Sequence, residues 1–220
     1  LALVFIPKPD GSTRPIGLLT GLMRLWGKAR RSFAWDWELA NARPYFWAGK
    51  GKPAARSVHR QSLRAEVARS RGQASASTLL DMVKCYEKIG HRVVAEAARR
   101  TGFNLRIVRM CLAIYAGPRF LSLEGAASEI IRLGTSIVAG CSFATTLLRV
   151  VLIEVMDMGV RFYPQVLFYV YVDDIDIGAI GDEEQVVDSA FGATRMIVLA
   201  LEHKVKAEVS KSKSLVLGSS

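Results

Sequence analysis

Residues 166–172 (VLFYVYV) form an apolar run that stops at two adjacent carboxylates, Asp173 and Asp174. β-Branched and aromatic residues without a charge predict a buried β-strand. Apolar positions resume at Ile175 and Ile177, so the pattern predicts a hairpin with acids at its tip. Unpaired carboxylates beside an apolar strand are costly to bury and therefore want cations. Oxygen-only donors suit Mg²⁺ or Mn²⁺ rather than zinc. A second short apolar run, residues 78–83, places Asp81 in its second half, and Lys84–His91 then opens an amphipathic helix.

The rest of the pattern supplies the frame. Residues 1–6 and 14–19 predict two strands, joined by the turn signal Pro7-Lys8-Pro9-Asp10-Gly11-Ser12-Thr13. Residues 21–40 read as one helix with Leu22, Trp26, Phe33 and Trp37 near one face. At helical spacing such a stripe is a core face, with base stacking as the competing use. Residues 41–56 are rich in Gly, Pro, aromatic and basic residues and read as a loop; Ser57–Arg71 reads as a basic helix. A small-residue link, 73–77, leads into the strand at Asp81. Residues 87–100 and 104–116 predict helices, with Gly102 and Asn104 as stop and cap. Two short strands are expected around Glu124-Gly125, a helix over 142–158, a helix with an acidic start over 183–201, and a strand over Lys204–Val209. Asp176 reads as a polar hairpin residue and Asp182 as a helix N-terminal acid.

Composition narrows the class. The chain has 220 residues, half of them hydrophobic, which is enough for one large or two small units with a real core. Its most apolar long stretch, 143–160, carries Arg149, Glu154 and Asp157, so no transmembrane helix is expected and no membrane partner is implied. No basic segment precedes an apolar one at the start, which argues against a signal peptide. The chain opens within a strand and without Met, as a fragment of a longer product would. Cys85, Cys111 and Cys141 are too few and scattered for a disulfide framework or a zinc site. They suit a reducing, intracellular compartment, with nucleus or cytoplasm not resolved. The net charge of +10 lies entirely within residues 1–72, which hold 14 Lys and Arg against 4 Asp and Glu; residues 73–220 hold 16 of each. Such a charge block is either a solvated face or a surface for a polyanion.

Tyr169-Val170-Tyr171-Val172-Asp173-Asp174 resembles motif C of reverse transcriptases, and Asp81-x-x-x-x-Tyr86 is similar to their motif A. The hairpin IPKPDGSTRPIGLL resembles the fingers hairpin of the family, and Ser210–Gly218 resembles motif D. The likeness spans nearly the whole chain and is most like the enzymes of retrotransposons without long terminal repeats. It implies an α+β right-hand polymerase fold, with fingers over residues 1–72 and palm over 73–220. An antiparallel sheet would be backed by helices, fingers-like helices would be inserted around 92–116, and the thumb would be missing.

The implied activity is DNA synthesis on an RNA template by two-metal nucleotidyl transfer. Asp81, Asp173 and Asp174, with the Met82 carbonyl, would hold two Mg²⁺ ions, with Mn²⁺ as an alternative. Lys8 and Arg14 would neutralise the incoming triphosphate. Tyr86 would exclude the ribose 2′-hydroxyl, and Gly140 belongs to the nucleotide-binding motif B. Lys213, with Lys211 as the near alternative, would protonate the leaving pyrophosphate. A Gly/Lys-rich loop within 41–56 would touch the template backbone. Partners would be an RNA template, a DNA primer, deoxynucleoside triphosphates and the rest of a parent polyprotein, including thumb and nuclease segments. One departure stands out: Ala139 occupies the motif B position where a Gln is usual, and Ala donates no hydrogen bond. Two other readings stay open. A viral RNA-directed RNA polymerase palm is opposed by Tyr86. A catalytically inactive nucleic-acid-binding relic is favoured by Ala139 and opposed by the intact aspartates.

Overall fold

The computed structural model describes residues 1–9, 11, 13–48, 53–123 and 126–219. Along the chain run β1 (Ala2–Pro7), β2 (Thr13–Leu18), α1 (Gly21–Ala29), α2 (Arg31–Ala40), α3 (Ala54–Ser70) and β3 (Ala74–Leu80). There follow α4 (Cys85–Lys88), α5 (His91–Arg100), α6 (Leu105–Ala116), β4 (Phe120–Leu123) and β5 (Ala126–Ala127). The last part holds α7 (Ala144–Phe162), β6 (Leu167–Tyr171), β7 (Asp174–Gly181), α8 (Glu183–Ala200) and β8 (Leu215–Gly218). The chain folds as two compact units, each built from two separate stretches. The boundary expected between residues 72 and 73 falls inside the second of them. No helix among the described residues is long and apolar enough to cross a membrane.

The first unit takes residues 1–41 and 86–151. Its sheet runs β2-β1-β4-β5, with β1 antiparallel to β2 and parallel to β4. Helix α6 shows how the sequence sets its elements. The Asn104 side chain accepts from the Arg106 and Ile107 amides, satisfying donors that the first turn leaves open. Ile107, Val108, Cys111 and Tyr115 then bury one face at helical spacing. Trp37 packs edge-on against Phe103, with centroids 5.5 Å apart, and donates to the Thr101 carbonyl at 2.9 Å. Glu38 accepts from Thr146 at 2.6 Å and pairs with Arg149 at 3.1 Å.

The second unit takes residues 42–85 and 152–220. Its sheet, β6-β7-β3-β8, is antiparallel throughout. Ile175, Ile177 and Ala179 alternate along β7 and are buried, and α8 packs against β7 and β3. Helix α7 comes close to α8 and β6 at Gly159, where a Cβ would stand 3.0 Å from Ile197 and 3.1 Å from Phe168. The expected α+β architecture, an antiparallel sheet backed by helices, is present.

Three expectations need correction. The single helix over 21–40 is two, α1 and α2. The chain leaves helical geometry at Arg30, whose amide bonds to the Gly27 and Lys28 carbonyls. The break puts Leu22 and Trp26 on α1 and Phe33 and Trp37 on α2; of the stripe, Trp37 is buried, while Leu22 and Phe33 are exposed. The small-residue link at 73–77 is mostly strand, since β3 begins at Ala74 and gains partners on both sides. The strand over Lys204–Val209 is absent. Leu201–Val205 continues α8 as a π-helical turn, closed by Lys206 at φ +61°, and only Val209 forms a bridge, to Met82. Three expected features, the turn residues Asp10 and Ser12, the loop residues Gly49–Lys52 and the turn at Glu124-Gly125, lie outside the described residues.

Asn104→Ala removes the acceptor of two helix-start amides. It should cost about 1 kcal/mol of stability, read as a lower urea midpoint with an unchanged slope.

Candidate active site

The second unit gathers the acids. In the β6–β7 hairpin Tyr171 pairs with Asp174, which leaves Val172 and Asp173 as a two-residue turn. Val172 sits at φ +61°. Such turns need a positive φ at their first central position, where Gly is the usual residue. A β-branched side chain there is strained, on the order of 1–3 kcal/mol. Beside β7 lies β3, with Leu80 opposite Ile175. Asp81, the next residue after β3, therefore leaves the sheet beside Asp174.

A serine-rich turn fixes the end of β3. The Ser210 amide donates to the Asp81 carbonyl at 2.8 Å, the Asp81 amide donates to Ser214 Oγ at 3.2 Å, and the Val83 amide donates to the Glu208 carbonyl at 2.8 Å. These bonds flank the Met82–Val209 pair, so the Met82 carbonyl is not spent on Val209. Within the same turn the Lys213 amide donates to Ser210 Oγ at 3.2 Å, and the Lys213 side chain is exposed. Asp81, Asp174 and Lys213 line one groove of about 800 Å³, floored by the sheet and walled by α3.

The electrostatics match this placement. Burial pushes the Asp174 carboxyl above its ordinary range, and the charges of Asp173 and Asp81 push it further. Three carboxylates thus share one field, which is the condition under which a hard divalent cation is favoured. Their oxygens fit Mg²⁺ or Mn²⁺ by donor type, although among the described residues no three His, Cys, Asp or Glu side chains close into a finished metal cage.

Asp176 was underread in the sequence. It is buried, at 5% exposure, and accepts hydrogen bonds from Ser77 Oγ of β3 and Gln61 Nε2 of α3. Burial raises its carboxyl, against the pull of those two bonds. Its two-residue spacing from Asp174 puts both on one sheet face, but nothing in the local pattern announces partners 99 and 115 residues away.

The remaining expected residues lie in the first unit. Lys8 and Arg14 flank the β1–β2 turn, with Ile6 opposite Arg14. Tyr86 sits in α4, half-buried, and its carbonyl accepts from the Ile137 amide at 2.7 Å. Two residues after Ile137, the Ala139 carbonyl accepts from the Gly17 amide at 2.7 Å. Ala139 thus serves through its backbone, which does not depend on the missing Gln side chain. Gly140 is required for two reasons: its φ is +103°, and a Cβ there would stand 2.6 Å from the Gly17 carbonyl oxygen. The structure therefore brings Arg14's strand, Tyr86 and Gly140 around one backbone crossing, and separately brings Asp81, Asp173, Asp174 and Lys213 to one end of the other sheet.

The family model for reverse transcriptase (RNA-dependent DNA polymerase) matches residues 6–218. The chain belongs to the reverse transcriptase family. The reverse transcriptase fold is matched by solved telomerase structures. Apo telomerase of Candida tropicalis, truncated from its C-terminal domain, aligns with a TM-score of 0.69 at 12% identity, over 99% of this chain and 50% of that one. C. tropicalis telomerase with a TWJ fragment of telomeric RNA gives 0.69 at 10% identity, over 99% and 40%. The Candida albicans telomerase with a TWJ fragment gives 0.65 at 14% identity, over 98% and 41%. This reverse transcriptase chain thus spans half or less of the length of those telomerases. No match was found among curated proteins. These results reach the family and the fold; they do not support the retrotransposon subtype.

Gly140→Ala should cost about 2 kcal/mol or more, because the chain must both leave its positive φ and push back the Gly17 carbonyl. Thermal unfolding of the variant measures this.

Proposed function

We propose that the chain carries template-directed DNA synthesis from RNA by two-metal nucleotidyl transfer, as part of a longer protein. The observation that carries this reading is the register of β3 on β7, Leu80 opposite Ile175, which sets Asp81 beside Asp174. Asp81 and Asp174, 93 residues apart in sequence, meet at adjacent strand ends, as metal-bridging ligands must.

Asp81, Asp173 and Asp174, with the Met82 carbonyl, would hold two divalent cations. When bound, these cations supply charge neutralisation on the transferring phosphate and lower the pKa of the primer 3′-hydroxyl. The protein's own groups do the rest. Asp81 and Asp174 fix the acid pair through strand register, so their spacing does not depend on a mobile loop. Lys213, exposed at the groove and anchored by Ser210, donates a proton to the pyrophosphate oxygen as it leaves. Lys8 and Arg14 neutralise the β- and γ-phosphates. Tyr86 crowds the 2′ position of the sugar, which favours deoxynucleotides. Gly140 lets the motif B backbone approach where a side chain would block it. RNA template, DNA primer and deoxynucleoside triphosphates are the substrates this chemistry fits. The basic excess of residues 1–72 suits a phosphate backbone. An intracellular site of action follows from the substrates.

Primer extension on an RNA template with Mg²⁺ tests the reading. Asp173→Ala and Asp174→Ala should each lower the rate by on the order of a hundredfold or more, and chelation with EDTA should abolish it. A folded wild-type protein that binds duplex and extends with neither dNTPs nor rNTPs overturns the proposal. Tyr86→Val should raise the use of rNTPs relative to dNTPs roughly tenfold, the worth of relieving one close steric contact. A wild type that already prefers rNTPs removes Tyr86 from its assigned role.

A further inference from the structure

Helix α3 carries a row of arginines, and two of them are held over aromatic rings beside the catalytic sheet. The Arg60 guanidinium lies 5.0 Å from the Trp47 ring centroid, and Arg64 lies 5.1 Å from that of Tyr169. Trp47 and Tyr169 are themselves in contact, at 5.6 Å. Burial and the charge of Arg60 hold the Arg64 guanidinium below its ordinary range, against the pull of the Asp176 charge. Two guanidiniums with one nearby carboxylate leave a net positive charge that suits an anion.

Helix α3 is joined to the sheet by the two ring contacts, by buried Ala68 and by one polar bond. The outward faces of Leu63 and Val67 are exposed, so much of the helix's apolar surface does not hold it to the sheet. Its polar anchor is Gln61 on Asp176, and the same carboxylate binds Ser77 on β3. One buried group thereby joins three elements: the strand that begins with Asp174, the strand that leads into Asp81, and the helix with the arginine pair.

We propose that Asp176 is a positioning residue for nucleic-acid binding. It pins α3 to the two strands that carry the catalytic acids, and so holds Arg60 and Arg64 where they engage the phosphate backbone of the template–primer. The substrate class rests on the function proposed above; the pinning rests on the geometry alone. Asp176 touches no reacting atom in this role and acts through the two arginines.

The test is a mutant cycle read by duplex binding and by primer extension. Asp176→Ala and Gln61→Met should each raise the Kd for an RNA–DNA template–primer and its KM about tenfold, the worth of a hydrogen bond to a charged group. The turnover rate at saturating duplex should stay within about twofold. Arg60→Ala with Arg64→Ala should give the same rise. Adding Asp176→Ala to that pair should give no further rise, because residues acting through one another are not additive. Gln61→Met leaves the sheet untouched and keeps the test valid if Asp176→Ala fails to fold. Additive losses, or a lower turnover rate with unchanged duplex affinity, overturn the inference. A wild type that binds duplex but does not extend sinks the proposed activity while the binding cycle still decides the role of Asp176. A wild type that binds no duplex sinks both.

Discussion

The pairing of β3 with β7, Leu80 opposite Ile175, is the interaction on which the candidate site depends. A strand register is all-or-none: a slip of one residue would turn Asp174 and Asp176 to the opposite face and bury the wrong set of side chains. Ile175 and Ile177 on the other face prevent that slip, because each contributes roughly 2–3 kcal/mol through burial only in the observed register. Apolar packing behind the sheet thus holds like charges together in front of it. The repulsion among Asp81, Asp173 and Asp174 is a local cost, met by a core that does not touch them.

The same logic explains what the sequence disclosed. The β6–β7 hairpin was legible because a charge-free aromatic and β-branched run can hardly be anything other than a buried strand, and the acids mark its end. Helix α6 was legible because Asn104 and a four-residue periodicity point to the same start. The first half of β3 was hidden: Ala74, Ser75, Ala76 and Ser77 carry no strand signal of their own and are strand only because β7 and β8 pair with them. The break at Arg30 and the π-helical turn at Leu201–Val205 were hidden too: neither has a Pro, and Gly27 lies within α1 rather than at the break. Among the candidate residues, Asp81, Asp173, Asp174 and Lys213 came from motif spacing, and the structure sets them at one end of the sheet. The burial of Asp176 was not legible, because it depends on Ser77 and Gln61 arriving from other elements.

The two glycines at the motif B crossing make a related point about Ala139. Gly17 and Gly140 let two backbones approach more closely than any side chain permits, and the Ala139 carbonyl sits in that contact. The demand at this place is for absence of bulk and for one carbonyl, and an Ala meets it. At identities of 10–14% to the telomerases, the shared fold must rest on such demands of shape and pairing more than on particular side chains.

Val172 has a further consequence. Its left-handed backbone is held by the pairs on either side of the turn, so the sheet itself supplies the energy that keeps the bend. Anything that loosens the ladder by a small amount lets this bend relax first, well before the strands separate. Asp173, in the turn itself, would then drift from Asp81 and Asp174 in a molecule that is otherwise folded. On gentle warming or in dilute denaturant the arrangement of the acids would therefore be lost before the fold, so that it acts as a gauge of the ladder's tension.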